Sequence, residues 1–364
     1  MRPTVMKISM GALLNNAKAL RARVPDGVKM LCVVKADAYG HGSVPFAQAL
    51  HGIADAFAVA IVEEAKLLRE NGVKEMIVIL GGAGEESLRE AVRIGASQAV
   101  YTPEALLILE DEAGKLGVRA KAHLKLDTGM TRIGVRGMEG LGSLLEVWKR
   151  CPNVDMEGCF THFCAADTDP EFTELQNARF EEMLNAVRQA GFSPIAHAAA
   201  SSAMLTPEYQ HDMVRAGIGL YGSCMPELED ALQYAQTLVT KPVRIDRIQA
   251  GDTVGYGRAY RAERETVVMT VPVGYGDGYP RSLSGRADVL VRGCRAPVIG
   301  KVCMDMLMVD VTGIPDAALE DEVVLMGKQG SERITPDELA ELAGTIPYEI
   351  MLGFSPRIPR VIAD

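Results

Sequence analysis

Apolar runs of strand length recur along the first two-thirds of the chain, separated by stretches with helical spacing. The runs are KMLCVVK (29–35), AFAVAIV (56–62), MIVIL (76–80), QAVY (98–101), KAHLKLD (121–127), DMEGCFTH (155–162), SPIAHAAA (193–200) and DMVRAGIGLYG (212–222). Short apolar runs bounded by turn residues are what strands buried on both faces require. Between them, EEAKLLRENG (63–72) and FTELQNARFEEMLNAVRQAG (172–191) read as helices. In the second, Phe172, Leu175, Phe180, Met183, Leu184 and Val187 fall near one face, with Gly191 as C-cap. Eight strands in βα alternation predict an α/β fold, a (β/α)8 TIM barrel. The seventh and eighth runs, rich in Ala and Gly, carry the weakest β character.

From about residue 236 the pattern changes to strand-like runs separated by Gly and Asp turns, among them ETVVMTVPVGYGDG, ADVLVRGCRAPVIGKVCMDMLMVDV and EVVLMG. One clear helix is signalled, with Thr335 as N-cap, Pro336 at the first position, Glu338 at the third and Gly344 closing it. The expected organisation is a barrel over residues 1–235 and a mostly β C-terminal domain over 236–364, without internal repeats.

Bulk properties narrow the field. A length of 364 residues accommodates one large and one smaller domain, and 48% apolar with 24% charged residues is ordinary for a globular chain. A net charge of −10 without any basic run argues against nucleic acid as a partner. No apolar stretch is long enough to span a bilayer, and the opening MRPTVMKISMGALLNN lacks the apolar core of a signal peptide, so no membrane association is expected. Seven cysteines without a Cys-x-x-Cys pair fit a reducing compartment, the cytoplasm, and argue against a disulfide framework and a zinc ribbon. No metal site is expected.

Lys35 changes the picture, because it closes the first apolar run. In a barrel, polar residues at the C-terminal ends of strands are candidates for catalysis. A lysine there either snorkels over the rim or loses its charge by joining covalently to an aldehyde. The loops after the last two runs, AAASSAM (198–204) and RAGIGLYG (215–222), offer the Ser201 hydroxyl and the backbone N–H groups of Gly217 and Ile218 where barrels often bind phosphate. A covalently joined lysine across the mouth from such a cradle is what pyridoxal 5′-phosphate (PLP) requires; tight turns alone would also account for the glycines.

The motifs VVKADAYGHG, KLDTGMTRIG, THF, VRAGIGLYG, GYGRAY, VGYGDGYPR and GKVCMDM occur in this order from residue 33 to residue 309. This series resembles the alanine racemase family of PLP-dependent, fold-type III enzymes, built as a barrel followed by a β domain and acting as homodimers. The resemblance implies that Lys35 holds PLP and serves as one base, and that Tyr256 from the partner subunit is the other. It assigns Tyr39, Ser201, Gly217 and Ile218 to the phosphate, Arg132 to the PLP phenolic oxygen and the substrate carboxylate, His162 to the cofactor network and Arg215 to the pyridine nitrogen. Met304 would offer its backbone N–H to the substrate carboxylate, Tyr275 would line the entrance, and Lys125 matches a lysine the family often carries as a carbamate.

The chemistry suits these residue types. Racemisation removes a proton from one face of a carbon and returns one to the other, so two bases are needed. Lys and Tyr have ordinary pKa values near 10 and must be brought down by neighbouring cations. A guanidinium at Arg215 cannot accept or hand over a proton as a carboxyl group would, which restrains side transamination. Two positions depart from the family pattern. Ala200 stands where an Asn is usual, and Pro356 stands where many members have a tyrosine at the phosphate. Both leave room for serine or broader specificity beside alanine. A fold-type III decarboxylase is the competing reaction class, but Cys303 lies in a racemase-like context; a non-enzymatic PLP carrier would lack the β domain and Tyr256.

Overall fold

The computed structural model describes residues 2–364. The chain opens on β1 (Val5–Ile8) and then runs through β2 (Lys29–Val33), β3 (Ala56–Val59), β4 (Met76–Ile79), β5 (Ser97–Val100), β6 (Ala120–Lys125), β7 (Val154–Phe160), β8 (Ile195–His197) and β9 (Met213–Ala216). Strands β2 to β9 form one sheet in the order β8-β7-β6-β5-β4-β3-β2-β9, parallel throughout. Backbone hydrogen bonds from Asp212 N to Ala196 O (3.0 Å) and from Arg215 N to Ala199 O (2.9 Å) cross the seam between β8 and β9. The sheet is therefore an eight-stranded barrel closed by a thin seam. Its strands are buried on both faces, which is why they read as apolar runs rather than alternations.

The strands are shorter than the runs. The first ends at Val33, so Lys35 lies beyond the strand rather than at its last position. The eighth stops at Ala216, and Gly217 leads into a short 3₁₀ turn over Ile218–Tyr221. The helix Pro170–Gln189 starts where Asp169 accepts from Phe172 N at 3.0 Å, with Pro170 in the first turn. It buries Gln176, Phe180, Met183, Leu184 and Val187, whereas Leu175 is exposed.

Residues up to Asn15, Tyr39–His41 and Tyr221–Asp364 form a second compact unit, and Asn16–Ala38 with Gly42–Leu220 form the barrel unit. The second unit contains β10 (Gln236–Thr240), β11 (Arg244–Ile248), β12 (Thr253–Val254), β13 (Tyr260–Arg261), β14 (Thr266–Val271), β15 (Asp288–Val291), β16 (Cys294–Ile299), β17 (Leu307–Asp310), β18 (Val323–Gln329), β19 (Glu332–Ile334) and β20 (Arg360–Ile362). Its main sheet runs β11-β14-β17-β16-β15-β18-β10-β1-β20. The opening strand thus belongs here, although the sequence pattern groups residues 1–235 with the barrel. The reason is periodicity: in VMKI, Met6 and Ile8 are buried while Val5 and Lys7 are half-buried, the alternation of a sheet with one wetter face.

The helix Pro336–Ala343 has the expected ends, with Thr335 Oγ1 accepting from Glu338 N at 3.0 Å and Gly344 left-handed at φ +75°. A second helix, Pro347–Gly353, is too short to show periodicity in the sequence. No helix among the described residues is long and apolar enough to cross a membrane. Thr335→Ala removes one cap and should cost about 1 kcal/mol, measured as a lower urea midpoint by circular dichroism.

Candidate active site

Beyond Val33 the backbone turns left-handed. Ala36, Asp37, Ala38 and Tyr39 have φ of 51°, 52°, 52° and 54°, and Gly40 follows at 79°. Non-glycine residues pay about 1–2 kcal/mol each for this region, so the turn must be held from outside. Glu64 holds it, accepting from Ala36 N at 2.6 Å through one oxygen and from Ala60 N at 2.8 Å through the other. Asp37 adds a second tie, its Oδ1 accepting from Ser43 N at 2.7 Å. Lys35 begins this turn, and its pKa is lowered first by burial and then by the charge of Arg132; Glu64 opposes this, and Arg215 adds a lesser lowering. An amine so placed spends more time neutral and nucleophilic.

Arg132 is carried by the loop after β6. Asp127 Oδ1 accepts from Gly129 N (3.1 Å) and Thr131 N (2.9 Å), while a Cβ on Gly134 would come within 2.7 Å of Asp127 N. These contacts fix the loop and leave the Arg132 side chain exposed. Lys125, at the end of β6, is buried and donates to Leu126 O at 2.6 Å. Burial first, then Arg215, brings its pKa down to about 7, with Asp127 opposing.

Arg215 is only 3% exposed and is surrounded by acceptors. Nη1 donates to His197 Nδ1 (3.0 Å) and His197 O (3.1 Å); Nη2 donates to Thr161 O (3.0 Å), His162 Nδ1 (3.1 Å) and Ala198 O (2.6 Å). Nε makes no hydrogen bond among the described residues. Burial lowers the Arg215 pKa to about 9, so it remains a cation at neutral pH. His162 must accept at Nδ1, which leaves its proton on Nε2. Burial and then the Arg215 charge push its pKa down to about 3, so the ring is neutral.

Ser201 is buried, and its Oγ accepts from Gly217 N at 2.9 Å and Gly219 N at 3.3 Å. The Gly217 N–H, expected to stand open, is therefore taken by Ser201. The Ser201 hydroxyl proton and the Ile218 N–H remain as donors for an anion. The barrel mouth thus combines an amine of lowered proton affinity, one unspent N–H on a buried cation and donors suited to an anion.

The other sequence-selected residues lie in the second unit. Tyr39 is buried, its ring 4.7 Å from that of Tyr221 and 5.8 Å from that of Tyr348, and burial raises its pKa. Tyr256 is 71% exposed, on a 3₁₀ turn flanked by Gly255 and Gly257 at φ 72° and 68°. Tyr256 and Met304 line one cavity of about 610 Å³. Tyr275 N donates to Cys303 O at 3.0 Å, and Gly276 N to Met304 O at 2.8 Å, so the entrance and Met304 loops are tied backbone to backbone. Gly274 permits this approach, since a Cβ there would lie 2.3 Å from Cys303 O. Sequence reasoning missed Glu64 and Arg357, which ties Asp305 (2.7 Å) to Asp277 (3.4 Å). No motif marks either; only the fold brings them to the loops.

Comparison with known proteins defines the class. Residues 8–225 match the family model of the alanine racemase N-terminal domain, and residues 235–362 match that of the C-terminal domain. The chain is 39% identical to an alanine racemase of Geobacter sulfurreducens and 42% to one of Symbiobacterium thermophilum, each over 99% of this chain and 97% of the relative. Among solved structures, the alanine racemase of D-cycloserine-producing Streptomyces lavendulae is similar with a TM-score of 0.94 and 34% identity, over 100% of this chain and 98% of that one. One from Bacillus anthracis with bound L-Ala-P has a TM-score of 0.91 at 34% identity, over 100% and 96%. The chain belongs to the alanine racemase family.

The strain at the turn is directly testable. Ala36→Gly should stabilise the protein by about 0.5–1 kcal/mol, because relief of the left-handed penalty exceeds the entropy glycine adds to the unfolded chain. A raised urea midpoint with an unchanged m-value is the expected result.

Proposed function

We propose that this protein is a PLP-dependent racemase that interconverts L- and D-alanine by two bases, Lys35 and Tyr256, and that it works as a homodimer in the cytoplasm. The observation that carries this reading is the barrel mouth, where Arg215 keeps a single N–H uncommitted while Lys35 is pushed toward its neutral form. The donor set fits PLP. Lys35 would bind its aldehyde carbon, Arg215 Nε its ring nitrogen, and Ser201 and Ile218 its phosphate, with Gly217 holding Ser201 and Tyr39 assigned to the phosphate by resemblance. When bound, PLP withdraws electrons from an amino acid and so makes the proton on its Cα removable.

Lys35 serves one face of that carbon and Tyr256 the other, since inversion requires proton transfer on both faces. Arg215, a cation that donates without releasing its proton, restrains electron withdrawal and favours return of the proton to carbon. His162 contributes an N–H without charge. Arg132 and the backbone N–H of Met304 take the substrate carboxylate, with Tyr275 at the entrance. The 71% exposure of Tyr256 supports its delivery to a second copy of the chain, and on this reading a monomer is inactive. The barrel unit then contributes Lys35 and the second unit contributes Tyr256. Seven free cysteines support a reducing compartment.

Incubation with PLP and L-alanine or D-alanine, followed by chiral chromatography, should give both enantiomers. Tyr256→Phe should keep the visible PLP absorption and lose about 10²–10⁴ in rate in both directions, whereas Lys35→Ala should lose the absorption as well. Full activity in Tyr256→Phe overturns the two-base reading.

Lys125 has a pKa of about 7, so near neutral pH a large share of its amine is uncharged and able to add carbon dioxide. We propose that it carries a carbamate, which turns a buried cation into an anion able to accept from Arg132. Growth or incubation with ¹³C-bicarbonate should give a carbamate carbonyl signal in ¹³C NMR that is missing in Lys125→Ala. The signal should strengthen as pH rises through 7, because protonation below that value removes the nucleophile.

A further inference from the structure

Strand β7 contains an irregularity at Glu157. Met156 pairs with Ala122 and Gly158 with His123, leaving Glu157 as the extra residue of a bulge. Gly158 gives the His123 ring its place, since a Cβ there would lie 2.2 Å from His123 Nδ1. His123 and His197 are both fully buried. His123 Nδ1 is 2.9 Å from His197 Nε2, and His123 Nε2 is 3.4 Å from Glu157 Oε2. Glu157 also accepts from Ser97 and pairs with Lys121 at 2.9 Å. The His197 ring stacks on Phe160 at 4.8 Å and 4°, which leaves it little freedom to turn.

The hydrogen positions in this series follow from one fact. A guanidinium only donates, so His197 Nδ1 must accept from Arg215 and its proton must sit on Nε2. That proton points at His123 Nδ1, which must also accept. His123 therefore carries its proton on Nε2 and needs an acceptor beyond, which Glu157 provides. An imidazolium at either position would set N–H against N–H. Burial keeps His197 neutral, with the charge of Arg215 acting in the same direction. Burial alone would raise the Glu157 pKa, but the hydrogen bonds from His123, Ser97 and Lys121 bring it down to about 2, so it is a constant acceptor.

We propose that Glu157 is a positioning residue, the terminal acceptor of a one-way hydrogen-bond chain Arg215→His197→His123→Glu157 that locks Arg215 for its contact with the cofactor ring. The proposal rests on the reading of Arg215 as the ring-nitrogen donor. Losing the acceptor is felt at the far end. Without Glu157 the His123 N–H is orphaned, or both rings reverse their tautomers and present a donor to Arg215. Either outcome loosens a guanidinium that has no water to turn to.

Histidine side-chain ¹⁵N NMR of the wild-type protein, with and without PLP, should show His123 and His197 as neutral Nε2–H tautomers. Glu157→Leu should weaken PLP binding about tenfold by absorbance titration, the effect of one buried hydrogen bond, and lower kcat with little change in KM for alanine. Glu157→Gln, whose amide oxygen still accepts, should restore the tautomers and recover most of the lost affinity. An Nδ1–H tautomer or an imidazolium at either ring in wild type overturns the chain. So does Glu157→Leu with wild-type PLP affinity, or Glu157→Gln as impaired as Glu157→Leu. Should Glu157→Leu fail to fold, the wild-type spectrum and Glu157→Gln decide. Wild-type protein with the stated tautomers but no PLP absorption overturns the proposed function, and the cofactor role of Glu157 with it.

Discussion

A buried guanidinium must have its donors accepted by protein, because water cannot do it. Arg215 meets that condition with three backbone carbonyls and two imidazoles, all from residues 161–162 and 197–198. The carbonyls belong to the ends of β7 and β8, and Arg215 N itself closes the seam to Ala199. One side chain therefore couples barrel closure to the chemistry at the mouth. Its charge contributes, after burial, to the lowered pKa values of Lys35, Lys125 and His162. Such a positive centre makes a neighbouring amine a better nucleophile at a given pH, because less of it is protonated.

The left-handed turn and the buried cation are two kinds of stress at one end of the barrel. The cation is balanced locally, by acceptors. The turn is balanced from the next βα unit, by Glu64 at the start of the helix Val62–Glu70. Glu64 also accepts from Ala60 N and, at 3.4 Å, from the backbone N of the N-cap residue Ile61, so the same carboxylate caps its own helix and holds the turn after β2. Strain retained in this way places Lys35 more rigidly than a flexible loop would.

Strand positions were legible in the sequence because parallel barrel strands are apolar on both faces, a signal independent of their neighbours. Strand ends were not. Nothing in Lys-Ala-Asp-Ala-Tyr announces four left-handed residues, since Ala and Tyr normally avoid that region and only tertiary contact with Glu64 imposes it. The N-terminal strand was missed for a related reason: four alternating residues gain strand character only from β10 and β20, which lie more than two hundred residues away. Among the site residues, the side chains that point to chemistry sit in glycine-rich motifs, whereas their supports, Glu64, Glu157 and Arg357, are ordinary charged residues whose partners are remote in sequence.

The second unit supports its exposed groups by the inverse of the Arg215 arrangement. Asp277 is fully buried and accepts from Gly274 N at 3.0 Å while pairing with Arg2 and Arg357. Burial alone would raise its pKa, but the Arg2 hydrogen bond and its other partners lower it, so the carboxylate stays charged. Arg357 extends the charge to Asp305, beside Met304. Here a buried anion gathers cations and backbone N–H groups, and the loops it fixes carry Tyr275 and Met304 at 42% and 53% exposure. Exposed side chains on a rigid base lose less conformational freedom when they are covered. In the barrel unit a buried cation lowers the proton affinity of the groups around it, and in the β unit a buried anion holds its loops in place.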